Sequence, residues 1–510
     1  MADALAEVGH YAHLVWQFCT LRNVVVYSVL LMLARYVYNR LKLTNLPPGP
    51  WGLPIIGANF RLGYKNPAEA LLRISRQYGR IFSIRFGPQL VVVLNDVELA
   101  KEAFVKNGDV SSGRPHPTDI GFSLRKMPAQ LIRSEGQDWK DLRSFTLKAL
   151  RHFGVGTREI EKVIEDEAQQ LCSTLEKEVA TEAGHQLDPR RLLNMAVANI
   201  ICSFTFGYRM EYSNPDFVKI IESIRDISAD TSLTNLMQVW PLLILTPAYS
   251  AVRRGIMTFR RMAQKVIDQH KETYDANDMR DVLDMMIAEV KKGKDAKIPV
   301  DEAYLWINVG ELFGAGADTT INSLMWAVFE MTSRQDVQDK VRKEIHDVLG
   351  THRPPRMSDR GDLPFTQAAV MESFRLRHPG PTGSLHRTTA TMHIAGYTIP
   401  ENTFVTSPQW SMHRDPREFK KPYEYDPGNF LNKEGKFTEP NGFMPFGVGP
   451  RVCIGESLAR TELFVFFTTL MQRFKFEFAP GQVIQDEGHG HFGATYTPKP
   501  YKVRLTPVTH

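Results

Sequence analysis

Apolar and polar positions alternate in only a few short stretches of the chain. "IFSIRFGPQLVVVLND", residues 81–96, alternates into a Gly87-Pro88 corner and out again, which predicts a β-hairpin. A second extended region, "TMHIAGYTIPENTFVTSP", covers 391–408, and short strand-like pieces close the C-terminus. Elsewhere the apolar positions recur every three to four residues, around 97–107, 136–152, 157–180, 190–206, 216–228 and 255–291. A lysine-rich loop, "KKGKDAKIP", then precedes a long apolar helix from Leu305 to Met331. With no β-α-β rhythm and no internal repeat, the pattern predicts a mainly α fold with small β-sheets, an α+β architecture.

The N-terminal pattern is different. Leu14 to Ala34 is mostly apolar and about as long as a bilayer is thick, though Arg22 and Asn23 interrupt it. No small-residue cleavage site follows, so a retained anchor is expected in preference to a removable signal. Arg35, Arg40 and Lys42 follow the stretch while Asp3 and Glu7 precede it, which orients the rest of the chain to the cytosol. A helix lying in the membrane interface is the alternative. "LPPGPWGLP", Leu46–Pro54, cannot continue a helix and forms a stiff linker. The expected organisation is an anchor and flank over 1–45, a Pro/Gly hinge over 46–54 and one catalytic unit over 55–510.

Composition narrows the chemistry. The chain has 510 residues, 43% hydrophobic and 23% charged, with a net charge of +5 that supports a local docking face or a membrane surface and gives no nucleic-acid signature. The four cysteines (Cys19, Cys172, Cys202 and Cys453) show no pairing pattern and no C-x-x-C spacing, against a disulfide scaffold or zinc module. Cys453 alone has unusual surroundings. It sits in "FMPFGVGPRVCIGESLAR", Phe443 to Arg460, among Gly447, Gly449 and Gly455 and two residues after Arg451. No histidine stands by it as a base, and no further ligands at zinc spacing are present. A thiolate can instead be the single protein ligand of a haem iron. A helix starting near Gly455 would point its positive end at the sulfur, and Arg451 could meet a haem propionate.

Three further elements carry chemistry. "GAGADTT" runs through the long helix with no lysine before the threonines, against a phosphate loop. Gly314 and Gly316 each cost the helix about 1 kcal/mol relative to alanine, so close approach of a flat cofactor and a local opening of the helix are expected there. Asp318 and Thr319 are an acid and a hydroxyl in an apolar helix, suited to proton delivery; the alternative is a threonine bonded back to its own helix and an aspartate at a solvent patch. Glu372 and Arg375 share a helix face at i, i+3, and Trp139 and Arg143 do so at i, i+4.

Taken together these motifs are specific. F-x-x-G-x-R-x-C-x-G is matched by Phe446, Gly449, Arg451, Cys453 and Gly455. With "AGADTT", "ESFR" and "WKDLR" in order, the chain resembles the cytochrome P450 family of haem-thiolate monooxygenases over nearly all of 46–510. Its texture is similar to the animal clan that oxidises drugs, steroids and fatty acids. The resemblance implies haem b (iron protoporphyrin IX) with Cys453 as axial ligand and metal site. Trp139, Arg143, His386 and Arg451 would hold the propionates, with Phe446 and Gly449 shaping the cofactor loop. Asp318 and Thr319 would relay protons, and Glu372 with Arg375 would form a structural pair. The arginine that usually completes that pair is replaced by Asn429, so a compensating contact or a less rigid segment is expected.

The same resemblance implies activation of O2 with electrons from NADPH through a separate flavoprotein, NADPH-cytochrome P450 reductase, with cytochrome b5 as an accessory partner. No flavin or nicotinamide fingerprint is present here. The reductase would dock on the cysteine face, where Lys140, Lys148 and Arg151 give a positive helix surface. A lipophilic small-molecule substrate and the endoplasmic reticulum membrane complete the expectation. Its pocket would be walled by the 114–128 loop, Phe313, Ala317, Thr382 to Leu385 and 492–496. An isomerase or dehydratase of oxygenated lipids, or a non-catalytic haem protein, are the alternatives.

Overall fold

The structure is a computed structural model that describes residues 21–42, 45–54, 56–63, 65–115, 129–181, 186–229, 245–482 and 490–508. The first described helix is α1 (Leu21–Lys42), and the helices that build or support the site are α2 (Gly136–His152), α3 (Arg190–Thr205), α4 (Ser250–Glu272), α5 (Leu305–Ser333), α6 (Pro364–Leu376) and α7 (Glu456–Arg473). Helix α5, 29 residues long, is buried on nearly every side through its C-terminal half, from Thr320 to Thr332. It packs against α3, α4, α6 and α7. A helix apolar all round belongs in the middle of a large core, and α5 forms the axis of this one.

The sheets are small and peripheral. β1 (Ile81–Phe86) and β2 (Gln89–Leu94) form the expected hairpin, with Phe86 opposite Gln89 and Gly87 at φ +58° making the corner. β3 (His386–Arg387) and β4 (Phe404–Thr406) complete a four-stranded sheet in the order β1-β2-β4-β3. Only the β2-β4 pair is parallel. Strand β3 carries His386 to the edge of the core, where its ring stacks on Phe104 at 4.1 Å.

The expected 255–291 helix is two helices, α4 and Val282–Lys291. Asp275 turns the chain by accepting from the N–H of Asn277, and Asp281 caps the second helix by accepting from the N–H of Asp284. Around 97–107 the helix Val97–Lys101 continues as a π-helical turn over Glu102–Lys106. The N-terminal expectation begins at Leu14, and residues 1–20 lie outside the described part. From Leu21 the chain is helical, and Val24, Val25, Leu30 and Leu31 expose apolar side chains, Leu31 72% of it. No helix among the described residues is long and apolar enough to cross a membrane, because Arg22 and the basic C-terminal third shorten the apolar run.

The Asn429 question has a structural answer. Glu372 and Arg375 are fully buried and joined by two 2.7 Å bonds, from Arg375 Nε to Oε2 and from Nη2 to Oε1. Arg375 also donates to the carbonyls of His413 (2.6 Å) and Pro422 (2.8 Å), and lies 4.7 Å over the Phe419 ring. Asn429 Nδ2 donates to Glu372 Oε1 at 3.1 Å, and the Asp426 N–H donates to the same oxygen at 2.8 Å. The compensating contact exists, so the carboxylate remains satisfied without the second arginine.

Candidate functional site

Cys453 lies between the short 3₁₀ turn Gly449–Arg451 and the start of α7. Its N–H donates to the Phe446 carbonyl at 3.0 Å, closing the loop on itself. Gly449 sits at φ +79°, and a Cβ there would lie 1.9 Å from the Phe104 carbonyl oxygen, so only glycine lets the loop approach the backbone of that π-helical turn. Gly447, at φ +72°, faces open space. Burial pushes the Cys453 thiol up, opposed by the Gly455 N–H and the positive charge of Arg143. The other described cysteines, Cys172 and Cys202, are wholly buried, and burial pushes Cys172 up to about 12.

The sulfur opens onto a cavity of ≈ 460 Å³, which Trp139, Arg143, His386, Phe446 and Arg451 also line, with Thr319 on the α5 wall. Six positions singled out between Trp139 and Cys453 therefore meet Thr319 around one space. Gly449 stands behind the loop, and Asp318 is not on this wall. Its carboxylate accepts from Thr495 Oγ1 at 2.8 Å and from Asn322 Nδ2 at 3.3 Å, fastening α5 to the C-terminal segment. Thr319 faces the cavity while its Oγ1 donates to the Ala315 carbonyl at 2.7 Å, so the back-bonded reading and the wall position hold together.

Arginines dominate the cysteine end. Arg451 lies 3.5 Å over the Trp139 ring, and donates to the carbonyls of Ser112 (2.9 Å), Leu131 (3.4 Å) and Ser134 (2.5 Å). Arg143 donates to the Val452 carbonyl at 2.6 Å. Arg114, expected only as the first residue of the 114–128 wall and not as a cation of the cofactor site, lines the same space, donates to the Leu385 carbonyl at 2.5 Å, and keeps its buried Nε without a partner among the described residues. Burial and the neighbouring guanidiniums push Arg451 down to about 8 and Arg114 to about 10. His386 is buried beside them, held well below the ordinary imidazole value, and its Nδ1–H donates to the Ser111 carbonyl at 2.9 Å. Three cations bonded mainly to main-chain carbonyls form a receptor for a flat anionic group, whose carboxylates would relieve their mutual repulsion. Haem b, with two propionates, fits that donor set and the single sulfur facing it.

The opposite wall corrects the substrate-side expectations. Leu312, Ala315, Gly316, Thr319 and Ser323 of α5 face the cavity. Phe313 is rotated away into the core, 6.1 Å from the Phe206 ring, and Ala317 is buried off the wall, as the 100° step between successive helical residues requires. Gly316 answers to packing as well as to the cavity, since a Cβ would meet Ile201 Cδ1 of α3 at 2.5 Å. Nothing lies within 4 Å of a Cβ at Gly314, and the helix runs unopened through both. Thr382, Gly383, Ser384 and Ala494 line the wall, and residues 116–128 of the expected loop lie outside the described part.

Two carboxyl groups on the wall were missed by sequence. Glu311 Oε2 accepts from the N–H groups of Leu131 (2.7 Å) and Ile132 (3.2 Å), and burial pushes the group up to about 7. Glu462 of α7 is 1% exposed and pushed up by burial to about 8. Spacing offered a signal for Glu311, which lies eight residues, just over two turns, before Thr319. Glu462 sits in an apolar run whose partner is distant in sequence.

Comparison with known proteins agrees with this geometry. The cytochrome P450 family model matches residues 47–505. Cytochrome P450 2D4 of Rattus norvegicus is 35% identical over 488 residues, covering 94% of this chain and 96% of that protein. Cytochrome P450 2U1 of Mus musculus is 34% identical over 492 residues, 92% of each. Cytochrome P450 2D6 of Homo sapiens is 33% identical over 493 residues, 95% of this chain and 98% of that one. With a family match across nine-tenths of its length and a cysteine-and-arginine cavity suited to haem b, this chain belongs to the cytochrome P450 family of haem-thiolate monooxygenases, which act with O2, a redox partner and a lipophilic substrate.

Proposed function

We propose that the chain inserts one oxygen atom of O2 into a steroid, fatty acid or xenobiotic, drawing electrons from NADPH through NADPH-cytochrome P450 reductase, with cytochrome b5 as an accessory donor. Cys453 is the haem ligand, and Arg143, Arg451, Trp139 and His386 hold the propionate edge, with Arg114 as a further donor. When bound, the haem supplies O2 binding and the oxidising power, and thiolate ligation favours O–O cleavage. The chain's own residues do the rest. The arginines fix the orientation of the cofactor, Leu312 and Ala315 give the α5 wall its apolar part, and the Thr319 hydroxyl passes protons into the cavity, with Asp318 one position before it as the acid that supplies them.

The observation that carries this reading is that Cys453, Thr319 and three guanidiniums line one cavity. Lys140, Lys148 and Arg151 are exposed on α2, whose other face holds Trp139, and this supports reductase docking there. The exposed apolar side chains of α1 support association with the endoplasmic reticulum membrane, the catalytic unit facing the cytosol.

The decisive experiment is the carbon monoxide difference spectrum of the reduced protein, followed by a spin-state titration with fatty acids, steroids and planar drugs. The thiolate-type spectrum is expected in the wild type and absent in Cys453→Ala; its persistence in the variant would overturn the ligand assignment. A saturable low-to-high-spin shift with one class, and NADPH-dependent product from it, identifies the substrate. Rearrangement of an oxygenated lipid without NADPH would favour the isomerase alternative instead.

A further inference from the structure

Helix α6 ends at Leu376, and the chain from Met371 to Pro379 is buried without a break, anchored by the Glu372–Arg375 pair. His378 extends from this fixed end and lines the haem cavity. It is 5% exposed, and burial pulls its imidazole down to about 4, so the ring is neutral at pH 7 and carries one N–H. Its two nitrogens have separate partners. The Gly380 N–H donates to Nδ1 at 3.0 Å, which places the ring's own hydrogen on Nε2. Nε2–H donates to the Pro445 carbonyl at 2.9 Å. The Phe374 ring at 5.0 Å and the His413 ring at 5.4 Å pack against the imidazole.

Pro445 belongs to the cysteine loop. Phe446, next in the chain, accepts the Cys453 N–H at 3.0 Å, the bond that closes the loop. Arg143 holds the other limb, donating at 2.6 Å to the carbonyl of Val452, the residue before Cys453. The loop is therefore gripped at two matching points, the carbonyls immediately before each partner of its closing bond. One grip comes from α2 and the other from the end of α6. We propose that His378 is a positioning residue for the haem ligand: its Nε2–H fixes the Pro445 limb, and through the Phe446–Cys453 bond it keeps the sulfur beside the Gly455 N–H. The proposal rests on the assignment of Cys453 as the haem ligand. The same ring fixes the start of the cavity wall, because Gly380, Thr382 and Ser384 follow it there. The role moves no proton, since both nitrogens are engaged and the ring stays neutral. The alternative is a buried polar contact that only adds to the stability of the fold.

His378→Gln and His378→Asn separate the two. The glutamine amide reaches the place of Nε2 and keeps a donor for Pro445, whereas the shorter asparagine keeps an acceptor for Gly380 and no donor that reaches Pro445. His378→Leu, of similar volume and with neither group, gives the same comparison should the asparagine variant not fold. The haem-loaded full chain is followed well below its unfolding midpoint by two readouts that need no turnover. One is the rate at which the reduced protein loses its thiolate-type carbon monoxide spectrum; the other is the ferric–ferrous reduction potential. His378→Asn and His378→Leu should lose the spectrum several-fold faster than the wild type. They should also be harder to reduce, because a looser loop withdraws the Gly455 N–H from the sulfur. His378→Gln should stay near wild-type values in both. If His378→Asn and His378→Leu match the wild type in both readouts and only their unfolding midpoints fall, the contact is structural and the proposal is overturned. His378→Gln as labile as His378→Asn overturns it too, since the donor to Pro445 is then not what matters. A wild type that never shows the thiolate-type spectrum overturns the ligand assignment and this proposal with it, whereas a normal wild type with unaltered variants overturns the proposal alone.

Discussion

Asn429 shares an oxygen of Glu372 with Arg375: its amide donates to Oε1 at 3.1 Å and the guanidinium at 2.7 Å. Oε1 thus accepts three bonds, the third from the Asp426 N–H, while Oε2 accepts from Arg375 Nε. A hydrogen bond to a buried charge contributes about 1.5–3 kcal/mol, and Asn429 supplies one without bringing a second charge that would need its own partner. Asn429→Ala should lower stability by roughly that amount, and Asn429→Asp by more, because it sets a carboxylate against Glu372. The urea midpoint of the holoprotein checks this. An unshifted midpoint in Asn429→Ala would mean the carboxylate is satisfied by Arg375 and the backbone alone.

Two glycines two residues apart on α5 should respond in opposite directions. A Cβ at Gly316 meets Ile201 Cδ1 at 2.5 Å, so Gly316→Ala should destabilise by about 1–3 kcal/mol through overpacking. Ile201→Val should recover part of the loss by withdrawing the clashing methyl. A Cβ at Gly314 meets nothing within 4 Å, so Gly314→Ala should gain up to about 1 kcal/mol of helix propensity. Thermal midpoints of the two variants and the Gly316→Ala/Ile201→Val pair measure both effects.

These glycines also mark where the sequence could and could not be read. The run from Leu305 to Met331 gave the helix, and the spacing of Cys453, Arg451, Phe446 and Gly449 gave the cofactor loop, because both are local patterns with one structural solution. Periodicity alone did not give the helix's rotation, so Phe313 and Ala317 were expected on the wall that Leu312, Ala315 and Gly316 occupy. Rotation is decided by Ile201 and Phe259 on other helices and by Phe206 just past the end of α3, which no local window contains. The charge of Arg114 at the cysteine end and the place of Glu462 on the wall escaped for the same reason, since each is defined by partners far along the chain. The break at 273–281 was legible in principle, from Asp275, Asn277 and Asp281, but was masked by continuous apolar spacing on both sides.

His270 and Asp281 bridge that break, with Nε2 of the imidazole 2.9 Å from Oδ2 and Nδ1–H donating to the Val266 carbonyl. Burial pulls the His270 value down, but the hydrogen bond and charge of Asp281 outweigh it and hold it above the ordinary 6.5. Asp284, which adds to this effect, is itself clamped by Arg280. The folded state therefore keeps a proton that the unfolded chain gives up first. This contribution to stability is fully present below 6.5 and is lost as pH rises through the folded value. His270→Gln should flatten that part of the stability profile from pH 6.5 upward, read from unfolding midpoints at a series of pH values. A wild-type profile that rises across this window would contradict the assignment.

Thr319 presents a separable test of proton handling, because its structural contribution is small. Its hydroxyl bonds back to Ala315 at 2.7 Å, a contact within one helix that stabilises little and competes weakly with the backbone ladder. Thr319→Ala should therefore change the unfolding midpoint by no more than the ~0.5 kcal/mol typical of a benign substitution. Its effect on coupling should be large, since proton transfer by a positioned group contributes about 10²–10⁴-fold to a step that needs it. With the haem spectrum intact, reducing equivalents should be diverted from product to peroxide, and Thr319→Ser, which keeps a hydroxyl on the wall, should return most of the coupling. Serine rescue is the informative arm. If Thr319→Ser uncouples as strongly as Thr319→Ala, the threonine methyl rather than the hydroxyl matters, and the residue shapes the cavity instead of passing protons. If both variants stay coupled, the proton reaches the cavity without Thr319.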